Sequence, residues 1–407
     1  MSLRSDAQTI ISASIRAVQP DAAVRRALHG REFPGRVVLA AAGKAAWQMA
    51  KAARDCLGDR IDAGVVVTKY DHVLGPIPGV TCYEAGHPVP DENSFKGTQA
   101  VLDLVSGLTA EDTVIFLLSG GGSALFEKPL IPGEELQDIT NQLLSSGADI
   151  VEMNTIRKRL SAVKGGRFAQ LCAPAKVFAI VLSDILGDPL DMIASGPACA
   201  DRSTCEQALA IAEKYGLRLT DRARELLGEE TPKELDNVET RITGSVRELC
   251  AAAANAAREL GYEPVVLTDQ LCCQAREAGS FLASVARTHR GGKLAFLAGG
   301  ETVVKLTGAG KGGRNQELAL SAAQGIDGLD GVLIFSLGSD GTDGPTDAAG
   351  GIVDGQTAAL LRSQGLSIPQ VLEDNDAYHA LERTDGLIFT GPTGTNVNDV
   401  AVVLIDK

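Results

Sequence analysis

The sequence predicts an α/β protein: a Rossmann-like, doubly wound, mostly parallel sheet, then a second, smaller α/β domain with a mixed sheet, and an active-site cleft between them. Three observations support this fold class. Short runs rich in Val, Ile, Leu, Ala and Phe lack the alternation of a half-exposed strand, as strands covered on both faces do. Segments with the period of amphipathic helices separate these runs, so strand and helix alternate. Past a polar stretch at 228–241, two apolar runs are joined by Gly299-Gly300-Glu301, which reads as a hairpin turn and brings antiparallel pairing into the second half.

In chain order, strands are expected over 37–42, 63–68, 113–118 and 176–182, with helices over 45–57, 93–105, 134–144 and 151–163. The stretch 228–241 contains Pro232 and several glutamates and is taken as a linker, which places the domains at 1–237 and 238–407. The second domain should hold helices over 245–260 and 274–288 and strands over 264–268, 293–298, 302–307, 332–337 and 400–405. No internal repeat interrupts this order.

Composition narrows the function. A formal net charge of -14 removes the broad basic surface that gripping nucleic acid or an anionic membrane requires. No apolar run approaches the ~20 residues of a membrane-spanning helix, and Met1–Asp6 lacks a signal-peptide core. The eight cysteines are scattered without zinc spacing, so reduced thiols in a cytoplasm are expected. Glycine is in excess at 45 of 407 residues, and about half of it falls in a few short motifs.

Those motifs follow the strands. The run 37–42 leads into Gly43-Lys44, 113–118 into Ser119-Gly120-Gly121-Gly122-Ser123, 176–182 into Ser183-Asp184 and Asp188, and 332–337 into Gly338-Ser339-Asp340. Ligands of open α/β sheets bind outside the carboxyl ends of the strands, so these turns converge on one crevice. Consecutive glycines let backbone N–H groups face an anion, and Lys44 would add a point charge. Asn154, Arg157, Ser161 and Lys164 are separated by 3, 4 and 3, so they share one helix face, a face suited to an anion. The aspartates at the strand ends suit Mg²⁺ or a general base. Gly308-Ala-Gly310-Lys311-Gly312-Gly313 matches GxGxxG weakly, and its sequel Arg314 at a helix start suits a transferring phosphoryl group. Walker A and protein-kinase motifs are absent.

The ordered set of these segments resembles the glycerate 2-kinase family, with its glycerate-kinase N-terminal domain and MOFRL C-terminal domain. It also includes Gly86-His87-Pro88-Val89-Pro90-Asp91, Ser195-Gly196-Pro197, Gly300-Glu301-Thr302, Asn315-Gln316-Glu317, Asp340-Gly-Thr-Asp343 and Thr390 through Asn396-Val-Asn398-Asp399. The resemblance runs nearly end to end. It implies ATP-dependent phosphorylation of D-glycerate at its 2-hydroxyl with Mg²⁺. Whether the chain is a monomer or a homodimer is left open by the sequence. By motif, Lys44 and Arg314 would be the catalytic cations; Asp184, at a strand end, is the candidate base. Ser119–Ser123, Asn154, Arg157 and Lys164 would bind glycerate. Gly300, Glu301, Gly310, Gly312, Gly313, Asn315, Glu317, Asn396, Asn398 and Asp399 would bind ATP, and Asp188 and Asp340 the metal. Ser339 and Ala377 depart from the usual Thr and Ser without touching a charged group. The alternatives are an NAD(P)H-dependent hydroxypyruvate reductase, which the GxGxxG match favours, and a non-catalytic anion-binding protein.

Overall fold

The computed structural model describes residues 2–289 and 291–406. It divides into two compact units: Pro20–Ser183 with Asp188–Thr243, and Met1–Gln19 with Asp184–Gly187 and Gly244–Lys407. This division departs from the sequence boundary in that the first helix and residues 184–187 cluster with the C-terminal half. Helix Leu3–Ala17 carries Ala7, Ile10 and Ile11 into the same core as helix Val246–Glu259, and its buried Asp6 accepts a hydrogen bond from Tyr262.

In the first unit β1 (Val37–Ala42), β2 (Ala63–Lys69), β3 (Val80–Ala85), β4 (Thr113–Leu118), β5 (Lys176–Leu182) and β6 (Val238–Gly244) lie in the order 3-2-1-4-5-6. The pairs β1–β2, β1–β4, β2–β3 and β4–β5 are parallel. Every residue of β1 and β4 is buried, which is why these strands read as unbroken apolar runs. Strands β3 and β6 were not expected; they are the edges, half exposed, with Tyr83, Glu84, Glu239 and Arg241 in place of an apolar run. The polar stretch taken as a linker therefore runs into a sheet edge. Strand order reverses between β1 and β4, and the crevice at such a reversal is where doubly wound sheets take ligands.

In the second unit β7 (Glu263–Leu271), β8 (Lys293–Gly300), β9 (Val332–Gly338), β10 (Gly350–Asp354), β11 (Leu387–Ile388) and β12 (Asp399–Asp406) form a mixed sheet of order 11-10-9-12-8-7. The antiparallel pairing is present, but not as the expected hairpin. Strand β8 pairs with the C-terminal β12 and, in parallel, with β7. The segment 302–307 forms no strand; it runs outward, with Leu306 80% exposed, and is pinned by Asn375, whose side chain accepts from Thr307 and Gly308 N–H and donates to Lys305 C=O. Among the described residues, no helix is long and apolar enough to cross a membrane.

Candidate active site

The turns after β1 and β4 interlock at the strand-order reversal. Lys44 N–H donates to Gly120 C=O at 2.9 Å, and Ala45 N–H donates to the Ser119 hydroxyl at 3.0 Å. Gly43, at φ 121°, has no room for a Cβ against Ser119, so glycine is required where the two turns cross. The Lys44 side chain is thereby laid along Gly121, whose own Cβ would fall 3.2 Å from Lys44 Cγ and 3.1 Å from His87 Nε2. Gly121 also has a positive φ of 85°, so a side chain there is excluded twice.

The N–H groups of Gly120, Gly121, Gly122 and Ser123 find no acceptor among the described residues, nor does the Lys44 ammonium find a partner. Neighbouring free N–H groups beside an unpaired cation make a cradle for a small anion. Lys69 adds to its positive field, and the His72 and His87 rings lie beside it. Burial, then Lys44, Lys69 and His72 in turn, hold the His87 ring below the usual histidine range.

A rigid base supports this turn. Phe116 of β4 packs against Phe126 and Phe168, with centroids 5.5 and 4.7 Å away. Ser123 Oγ lies 3.3 Å from Ser195 Oγ, which donates to Asn154 Oδ1 at 2.7 Å. Ala194 and Ser195 both hold positive φ, a conformation costing about 1–3 kcal/mol at each non-glycine residue. Asn154 pins the second of them.

The basic segment after Asn154 is engaged elsewhere than expected. Its helix ends at Arg159, so Ser161 and Lys164 leave the face predicted from spacing. Lys164 is wholly buried: it donates to Ser123 C=O at 2.8 Å and Phe126 C=O at 3.1 Å, and pairs with buried Glu127 at 3.3 Å. Burial pulls its ammonium down to about 8, with Glu127 opposing and Arg157 adding to the effect. Lys158 is tied to Asp201, and Arg159 to Thr155, Ser203 and Glu230. Asn154 and Lys164, expected to contact glycerate, have their polar atoms engaged within the protein and support the turn. Arg157 is half-buried, donates one guanidinium nitrogen to Ser123 C=O at 3.1 Å, and leaves Nε buried without a partner among the described residues.

In the second unit the GxGxxG glycines serve packing rather than an open phosphate cradle. Ala309 and Lys311 N–H donate to the side chains of Asp374 and Asp376, and Gly310 N–H to Asp374 C=O. A Cβ on Gly308 or Gly310 would meet the backbone of Asp374 or Asp376, and one on Gly313 would meet Asp343; Gly312 lies against Asn375 and Ala377. Gly300 has no Cβ room beside Leu271. The start of helix Arg314–Gly325 is occupied as well: Asp343 accepts from Asn315 N–H at 3.1 Å and Gln316 N–H at 2.8 Å. Burial raises Asp343 to about 6 against those hydrogen bonds, and Asp399 adds to the rise. Asn315 and Glu317 are buried, the former held by Ser336 and Asp343, the latter by Arg276 and Asn375.

Arg314 itself is clamped. Its Nε and one terminal nitrogen meet Asp399 at 2.6 and 3.0 Å, and the other meets Glu301 at 3.0 Å. Asn398 bridges Glu301 and Asp184 C=O. Asn396 stays exposed, its side chain accepting from Asn398 N–H. Asp340 accepts from Thr342 N–H, and Asp184 is half-buried. Asp188, at φ 53°, holds one carboxylate oxygen buried with no hydrogen-bond partner among the described residues, which suits a cation. The sequence reading missed the cluster of Lys69, His72 and His87; the signal was the histidine inside Gly86-His87-Pro88, quoted only as a motif. It also missed Asp374–Asp376, the segment that seats the glycine loop.

Residues 6–228 match the family described as a domain of unknown function (DUF4147), and 294–399 match the MOFRL family. The chain is 54% identical to the D-glycerate 2-kinase of Thermotoga maritima, covering 99% of each. It is 40% identical to the glycerate 2-kinase of Pyrococcus horikoshii, covering 100% of this chain and 98% of the relative. The crystal structure of glycerate kinase from Thermotoga maritima superposes with a TM-score of 0.95 at 53% identity, covering 99% of each chain.

Proposed function

The chain belongs to the glycerate 2-kinase family, and on that premise we propose that it transfers the γ-phosphoryl group of ATP to the 2-hydroxyl of D-glycerate, releasing 2-phosphoglycerate and ADP. The observation that carries this reading is the end-to-end similarity to relatives bearing that name.

The residues give the reading a chemistry. D-Glycerate is a small carboxylate flanked by hydroxyls, and the glycine turn offers it N–H donors and the unpaired Lys44. Phosphoryl transfer is mostly positioning and charge stabilisation, so a cation able to meet the equatorial oxygens is the main requirement. Lys44 meets it without breaking an existing bond. Arg314 is held within its clamp on Asp399 and Glu301, which fixes its guanidinium plane. Of the residues expected to hold ATP, Glu301, Gly310, Gly312 and Asn396 keep exposed surface. Asp188, whose buried carboxylate oxygen has no partner among the described residues, would hold Mg²⁺, which when bound neutralises phosphate charge.

The second reading, a nicotinamide-dependent reductase, loses its main support, since the GxGxxG backbone is occupied by Asp374–Asp376. Supplying ATP with D-glycerate in one cuvette and NADH with hydroxypyruvate in another separates the two. ADP release with steady NADH absorbance is expected; the reverse result would overturn the kinase reading.

A further inference from the structure

The histidine beside the glycine turn has a stronger claim to the proton-transfer step than the aspartate expected from the sequence. His87 follows β3, and its Nε2 faces Gly121, in the same space that Lys44 borders. Neither ring nitrogen has a hydrogen-bond partner among the described residues. His72, by contrast, is held through Nδ1 by Lys44 C=O at 2.9 Å. Resting on the glycerate kinase reading, we propose that His87 Nε2 is the general base that accepts the proton of the substrate hydroxyl at the glycine turn.

The step balances. The hydroxyl O–H bond breaks and its proton passes to His87 Nε2, while the oxygen pair forms a bond to the γ-phosphorus. The bond from that phosphorus to the β,γ-bridging oxygen breaks, and its electron pair leaves with ADP. A base must be unprotonated at working pH, and the surroundings of His87 secure this. Lys44 from the β1 turn and Lys69 and His72 from the end of β2 face it with positive charge, and together with burial they disfavour the imidazolium. The carboxylates nearby on its own segment are otherwise engaged: Glu84 accepts from His72 and Val73 N–H, and Asp91 from Tyr70, Asn93 and Ser94. Proton transfer to His87 would then place a cation beside the transferred phosphoryl group, where it helps.

A neutral imidazole is a stronger base toward an alcohol than a carboxylate, so the ring beside the glycine turn is better matched to the proton than a strand-end aspartate.

The experiment measures kcat and KM across pH for wild type, His87→Gln and Asp184→Asn, using ADP release with D-glycerate. His87→Gln should lose about 100-fold or more in kcat, keep its KM for ATP, and lose the acid-side fall of kcat/KM that wild type shows. Asp184→Asn should retain that acid-side fall. A His87→Gln variant within about threefold of wild type, or slower with the acid-side fall intact, would overturn the proposal. The second measurement does not depend on turnover: the His87 imidazole resonance, assigned by its loss in His87→Gln, should shift when D-glycerate alone is added. An unmoved resonance sinks the proposal even if the enzyme is active. Absence of ADP release in wild type would instead reject the kinase reading, with the resonance still testing whether His87 meets the hydroxy acid.

Discussion

Replacing Lys164 with methionine removes an ammonium group from a place where no water can substitute for it. In the folded chain Nζ donates to Ser123 and Phe126 carbonyls and pairs with Glu127, and neither Lys164 nor Glu127 has exposed surface. Each hydrogen bond from a charged donor contributes about 1.5–3 kcal/mol, but the larger consequence is a buried carboxylate left without its counter-ion. Breaking one side of a buried pair costs about 3–5 kcal/mol, and that is the expected loss for Lys164→Met. The double variant Lys164→Met with Glu127→Leu removes both charges and should recover most of it, since apolar replacements of a buried pair are often near neutral. Urea denaturation of the four proteins in the cycle, followed by far-UV circular dichroism, reads these terms. A Lys164→Met protein as stable as wild type but with a much weaker KM for D-glycerate would refute the reasoning and return Lys164 to the ligand.

Lys44→Ala should fold normally and lose at least about 100-fold in kcat, the usual cost of removing a transition-state charge contact; kinetics with an unchanged denaturation midpoint check it. Arg314→Lys should rescue Arg314→Ala poorly in steady-state assays, because an ammonium cannot reproduce the two-point contact with Asp399. Gly121→Ala should abolish turnover and lower stability together, since the new methyl meets His87 and Lys44 at a left-handed φ. Asp343, raised to about 6 in the fold, binds a proton more tightly there than when unfolded. Its contribution to stability is therefore full below about pH 4 and lost as pH rises through about 6, by about 3 kcal/mol at most. Asp343→Asn should flatten that part of the stability profile.

The reach of the sequence follows from what each residue type can signal. Buried parallel strands announce themselves, so β1 and β4 and the turns behind them were legible, and with them Lys44 and Ser119–Ser123. Edge strands β3 and β6 carry polar residues on an open face and look like loop. Spacing placed Lys164 on a face with Arg157, but a cation set toward a ligand and one set toward buried carbonyls have the same spacing; only the helix end at Arg159 separates them. Likewise a glycine needed for close approach to Asp374 reads as one needed for phosphate. His87 gave no periodic signal, because the charges that act on it come from two other segments, the β1 turn and the end of β2.

The identity of the product decides the assignment most directly. Purified protein given ATP and D-glycerate should yield ADP and a phosphoglycerate that enolase converts to phosphoenolpyruvate without a mutase, as only the 2-phosphate allows. ADP formation with a product that enolase ignores, or no ADP at all, would contradict it.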